Sequence, residues 1–320
     1  MGQTYTTITA AVAAYNTACI SGPVTFLLTD ASYSASETFP ITINANPTAS
    51  SINTLTIKPT LANTSVSGTS ASAIFVLNGA DYVTINGSIS TTANTVCPAV
   101  AASRDLSITN TNTATTSAVV WLQSTAALDG ATNNNIINCN LIGSGNTQTF
   151  VGVGSGSTTI STASLGVSNH SNSYINNNIS KTQYGIFSQG TTLSQKNNGT
   201  VINQNLINTV APNNVARGGI VVGFENNILI SGNNISEIAL TSSPDVMGIA
   251  LGGIAISTST FTGNEVTNAT VTKNIIGSVR NTGTFSAAGI FISPSVSGTT
   301  LIANRSEEHT SELQSRVDIS

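Results

Sequence analysis

From residue 134 onward, short aliphatic runs recur along the chain, each broken by Asn, Gly or Ser. NNIINCNLIG (134–143), SYINNNISK (173–181), TVINQNLIN (200–208), ILISGNNIS (228–236), TVTKNIIGS (270–278) and TLIAN (300–304) share one pattern. An aliphatic residue is followed three positions later by Asn, usually with another aliphatic residue after it. Counted this way, the station falls on Asn140, Asn178, Asn205, Asn233, Asn274 and Asn304. YVTINGSI (82–89) and LSITNTNT (106–113) are weaker copies. A second station precedes many of these segments: YGIF (184–187), GGIVV (218–222), MGIAL (247–251) and AGIFI (288–292), with IFVL (74–77) and VVWL (119–122) in the same place without the Gly.

In-out alternation over such short runs predicts strands joined at Gly and Asn corners. No amphipathic stretch of helical period separates them, which excludes alternating strand–helix units. One such unit cannot bury its own apolar face, but stacked units share a continuous Ile/Val/Leu core. Parallel connections favour right-handed winding. The pattern therefore predicts an all-β, right-handed parallel β-helix, a solenoid whose uneven repeat length places the extra residues in corner loops. Asn at the bend tolerates left-handed backbone and hydrogen-bonds locally. In stacked coils it also pairs with the Asn above and below, so the six Asn are expected to form one column.

With these stations the chain resembles the right-handed parallel β-helix proteins called pectin-lyase-like, over roughly residues 5–304. The resemblance implies the fold and leaves the activity open. YTTITAAVAAYN (5–16) is similar to the short helix that plugs the first coil in that group, with Ile8, Ala11, Val12 and Tyr15 on one face. The look-alikes are repeat regions of large secreted bacterial surface proteins, which implies an extracellular or outer-surface location.

After Asn304 the repeat gives way to RSEEHTSELQSRVDIS. Its first part, residues 305–315, resembles the translation of a short-read sequencing adapter. The expected organisation is thus a β-helix over 1–304, truncated at its C-terminal end, and a non-native tail over 305–320. Glu307, Glu308, His309 and Glu312 are accordingly kept out of any site. An uncapped last coil is expected to self-associate.

Composition narrows the function. Only 7% of residues are charged and 5% aromatic, with a net charge of -4. That gives neither the basic footprint nor the stacking surface of a nucleic-acid binder. No apolar run is long enough to span a bilayer. Cys19, Cys97 and Cys139 have no metal-ligand spacing, and a Cys97–Cys139 bridge is left open. The acidic residues scatter over different stations, and no metal or other cofactor is implied. One charged cluster is placed by spacing: Lys181, Arg217 and Asp245 each precede a Gly-Ile station in consecutive coils. It is the candidate ligand-binding position, weighed against an ordinary surface ion pair. His170 is expected in a polar corner, and Trp121 in the core rather than as a sugar platform. The reading is a non-catalytic β-helix serving as stalk, adhesin or passive binding surface, with extracellular polysaccharide or another surface component as partner. The alternative is a polysaccharide-binding or polysaccharide-degrading module.

Overall fold

Each coil is built from strands whose every second side chain points inward. In the computed structural model, which describes residues 4–90, 103–125, 129–192, 194–241, 244–254, 256 and 265–303, these strands stack into three long sheets. The first sheet has nine strands, from Val24–Leu28 to Leu301–Ala303. The second has eight, from Ser32–Tyr33 to Ile275–Ile276, and the third eight, from Ile41–Asn44 to Ala287–Ile292. Consecutive coils pair in parallel, as Leu55–Pro59 does on Val24–Leu28 and Ala287–Ile292 on Val246–Leu251. The protein is an all-β parallel β-helix.

Register converts the sequence pattern into core columns. In the first sheet Ile57, Ile85, Ile136, Tyr174, Ile202, Ile230 and Val271 lie one above another. All are buried, and burying an aliphatic side chain of this size contributes about 1.5–3 kcal/mol. The Gly-Ile station also has a packing reason. A Cβ on Gly185 would lie 2.5 Å from the carbonyl oxygen of Gly219, and one on Gly219 would lie 2.6 Å from that of Gly248. Backbone approaches too closely here for any side chain.

The bend from first to second sheet is made by one left-handed residue per coil: Asn138, Asn176, Gln204, Gly232 and Lys273. The next residue turns inward, giving the column Cys139, Asn177, Asn205, Asn233 and Asn274. Asn205 Nδ2 donates to Asn233 Oδ1 at 2.9 Å and to Tyr174 O at 2.9 Å, while its Oδ1 accepts the Asn177 N–H at 2.9 Å. Asn233 and Asn274 repeat the arrangement. Left-handed backbone and the buried amide are therefore divided between two adjacent residues.

Asn140 and Asn178 stand outside that column. They pair with each other in the second sheet, half-buried on its outer side. The reason is strand alternation: Leu141 and Ile179 are fully buried, so their predecessors face outward. In the run Asn176–Asn178, spacing alone selects the wrong member, and in the coil before it the inward place belongs to Cys139. Asn304 and residues 305–320 lie outside the described residues, as does Cys97. Cys139 is a free, fully buried thiol, pushed up to about 12 by burial.

The N-terminal end carries the one helix among the described residues, α1 (Ile8–Thr17), with Ile8, Ala11, Val12 and Tyr15 buried. Thr7 caps it by accepting the Ala10 N–H, and the Glu37 carboxylate receives the N–H groups of Ile8 and Thr9 at 2.7 and 2.8 Å. An anion satisfying the open amides of a first turn is stabilising. Glu37→Ala is expected to lower stability by about 1–2 kcal/mol, read as a lower thermal unfolding midpoint. No described helix is long and apolar enough to cross a membrane.

Candidate functional site

The third sheet is buried on both faces over its central strands, from Ala118–Gln123 to Val246–Leu251. Its inner face joins the solenoid core, while its outer face carries the register column Val76, Trp121, Gly154, Phe187, Val221, Ala250 and Phe291. Phe150, Ile160, Tyr184 and Met247 pack with this column. Phe150 lies 5.1 Å from the Tyr184 ring and 5.2 Å from that of Phe187. Trp121 is fully buried, and its indole N–H donates to Ser157 O at 2.9 Å. Most of this face is closed by an apolar layer, which takes Trp121 away from any ligand. At the edge of the same sheet Gln123 donates to Asn78 and Asn78 to Asn44, an outer amide ladder at 2.9 and 3.0 Å.

Lys181, Arg217 and Asp245 are not joined by any ion pair among the described residues; the pairs there are Lys196–Glu265 and Arg280–Glu237. Pairing of Tyr184 with Gly218 and of Gly218 with Met247 aligns Arg217 with Gln183 and Val246. Asp245 is one step out of that register. Its nearly buried carboxylate receives the N–H of Ile256 at 2.6 Å and that of Ser286 at 2.9 Å. Arg217 lies beside the Tyr184 phenol, whose pKa is raised by burial and partly restored by that cation. Lys181 takes a left-handed backbone conformation with its N–H on Asn213 O. His170 is partly buried, which lowers its pKa, and its Nδ1 accepts the Asn198 N–H at 3.1 Å.

Four further carboxylates also accept bonds from the protein itself. Glu37 holds the start of α1, and Asp105 accepts the Ile89 N–H and the Ser103 hydroxyl. Glu265 meets Ser297 and Lys196, while Glu237 meets Arg280. Arg104, half-buried, donates to the backbone and side chain of Asn176.

Two features escape a reading of the sequence. Asp81 accepts the N–H and hydroxyl of Thr132 at 2.7 and 2.6 Å. Its pKa is raised chiefly by burial, with a smaller push from nearby Asp129. These acids come from different coils, and only the fold brings them close. The second is Glu225, fully buried in the column Asn169, Asn197, Glu225. Ser188 and Asn197 donate to one carboxylate oxygen at 2.5 and 3.0 Å, and Thr200 to the other at 2.8 Å. Burial pushes its pKa up to about 7 against the pull of these three donors. The fully buried Tyr174 phenol faces the same cluster, and burial raises its pKa well above the ordinary value. The sequence hint was slight: a Glu in FENN (224–227), one coil beyond KNNG (196–199).

No family model matches the chain, and no curated protein matches it. Among solved structures it is similar to an alginate lyase from Paenibacillus sp. FPU-7, at 14% identity and a TM-score of 0.42, over 93% of this chain and 97% of that one. It is also similar to PfbA, a surface adhesin of Streptococcus pneumoniae, at 11% identity and a TM-score of 0.38, over 88% of this chain and 70% of that one. A mannuronic-acid-specific polysaccharide family 6 lyase from human gut microbiota shares 10% identity at a TM-score of 0.30, over 97% and 93% of the two chains.

Proposed function

We propose that this chain is a non-catalytic β-helix displayed outside the cell, serving as a stalk, an adhesin or a passive binding surface. One observation carries the reading: most carboxylates among the described residues are engaged in holding the fold. Glu37, Asp81, Asp105, Glu225, Glu237, Asp245 and Glu265 each accept hydrogen bonds from the protein itself. A general acid or base needs a proton to exchange with substrate, and the four of these that accept backbone amides, Glu37, Asp81, Asp105 and Asp245, are held by the fold instead. Lys181, Arg217 and Asp245 are the proposed contact positions for an anionic glycan, and binding there would proceed without turnover.

A second reading, a polysaccharide-degrading module, is favoured by the Asp81–Asp129 pair. Glycoside hydrolysis works with two neighbouring carboxyl groups, and the charge of Asp129 adds to the rise of the Asp81 pKa. The test is incubation of the full chain with pectins, alginates and neutral glycans, with and without Ca²⁺, followed by assay of reducing ends and unsaturated products. The expected result is no release above the protein-free blank. Release abolished by Asp81→Asn or Asp129→Asn would establish the second reading. Release abolished by Arg217→Ala or Asp245→Ala would place an active centre at the third sheet instead.

A further inference from the structure

The Glu225 cluster contains the parts of an acyl-transfer site. Ser188 and Asn197 share one carboxylate oxygen, so a hydroxyl and a carboxamide nitrogen meet the same proton acceptor. Ser188 gives its proton to Glu225, which makes Ser155 the donor in the 2.8 Å Ser155–Ser188 contact. On the far side of the amide, Asn197 Oδ1 accepts the backbone N–H of Asn169 at 3.1 Å. A nucleophile on a base, a leaving nitrogen on the same base, and a fixed donor on the carbonyl oxygen are the groups that displacement at an amide requires.

We propose that Ser188 and Asn197 become joined by an intramolecular ester between Ser188 Oγ and Asn197 Cγ, with Glu225 as proton carrier. Glu225 takes the Ser188 hydroxyl proton as Oγ adds to Cγ, and the charge developing on Oδ1 faces the Asn169 N–H. The C–N bond then breaks, Glu225 delivers its proton to the departing nitrogen, and ammonia leaves. The hydroxyl hydrogen ends on ammonia, Glu225 returns to its starting form, and no oxidant or reductant takes part. A carboxyl that titrates near neutrality both accepts and returns a proton efficiently. Ser188, Asn197 and Glu225 are all within 1% of complete burial, which shields the ester from hydrolysis. Ser188 and Asn197 belong to one coil, whereas Glu225 pairs with Asn197 from the next. The bond therefore forms only after the second coil has stacked on the first.

The test is the intact mass of the folded, full-length chain, corrected for any loss of the initiator Met. The proposal predicts a mass about 17 Da below that of the sequence, the mass of one ammonia released by acyl transfer. Trypsin would then leave peptides 182–196 and 197–217, cut at Lys181, Lys196 and Arg217, joined through Ser188 and Asn197. Glu225→Gln and Ser188→Ala should each restore the full mass and separate the two peptides. Wild-type protein at the full sequence mass overturns the proposal, and that measurement needs no variant to fold. A link mapped to Thr200 instead of Ser188 overturns the assignment of the nucleophile.

Discussion

Asn205→Leu is expected to destabilise the protein by about 4 kcal/mol, the sum of several buried polar groups left without partners. The side chain is fully buried and serves three neighbours: the Asn177 N–H, the Tyr174 carbonyl and Asn233 Oδ1. Leucine fills a similar volume and returns none of those bonds. Each orphaned group carries a desolvation penalty of about 1–3 kcal/mol, and the added apolar burial offsets only part of it. Asn178→Leu is the control. Its amide lies on the outer side of the second sheet with a single 3.4 Å contact to Asn140, so a cost under about 1 kcal/mol is expected. Urea unfolding of both variants beside the wild type separates the inner column from the outer one. Equal losses would mean that the buried amides do not hold the coils together.

Glu225→Gln is expected to flatten the pH dependence of stability. The native carboxyl titrates near 7, pushed up from about 4.5 by burial, so between those values the folded state holds a proton that the unfolded state releases. Stability from this group is therefore fully present below about pH 4.5 and lost as pH rises through 7. A shift of this size corresponds to about 3 kcal/mol. Tyr174, the other titratable group facing the cluster, is raised above its ordinary value by burial and stays neutral throughout the window. Gln keeps one oxygen for Ser188 and Asn197, and the Thr200 hydroxyl can rotate to accept from the new amide. Thermal unfolding from pH 4 to 9 should show wild type falling relative to the variant on the alkaline side. Parallel profiles would show that Glu225 does not titrate in this range.

The fold was legible because burial imposes periodicity. Ile202, Ile230 and Val271 recur at one station because each must face the same core, and the Gly of YGIF and MGIAL recurs because a neighbouring strand leaves no room for a Cβ. Register within a run of like residues was not legible. Asn176, Asn177 and Asn178 take left-handed, inward and outward roles in turn, and only the strand that follows decides which is which. The charged residues were harder still. Lys181, Arg217 and Asp245 recur at similar distances from the Gly-Ile station, yet the coils differ in how they reach it, and Asp245 is drawn to Ile256 and Ser286 instead. Glu225 and the Asp81–Asp129 pair depend on contacts between coils that no local pattern encodes.

That the protein's charges serve its fold is tested most directly by denaturant unfolding of Asp245→Ala. The carboxylate receives two backbone N–H groups in a nearly buried setting, and its removal leaves both donors unpaired. The account predicts a loss of about 1–3 kcal/mol. Residues kept for chemistry are commonly neutral or costly to stability, so an Asp245→Ala variant as stable as the wild type, or more stable, would contradict it.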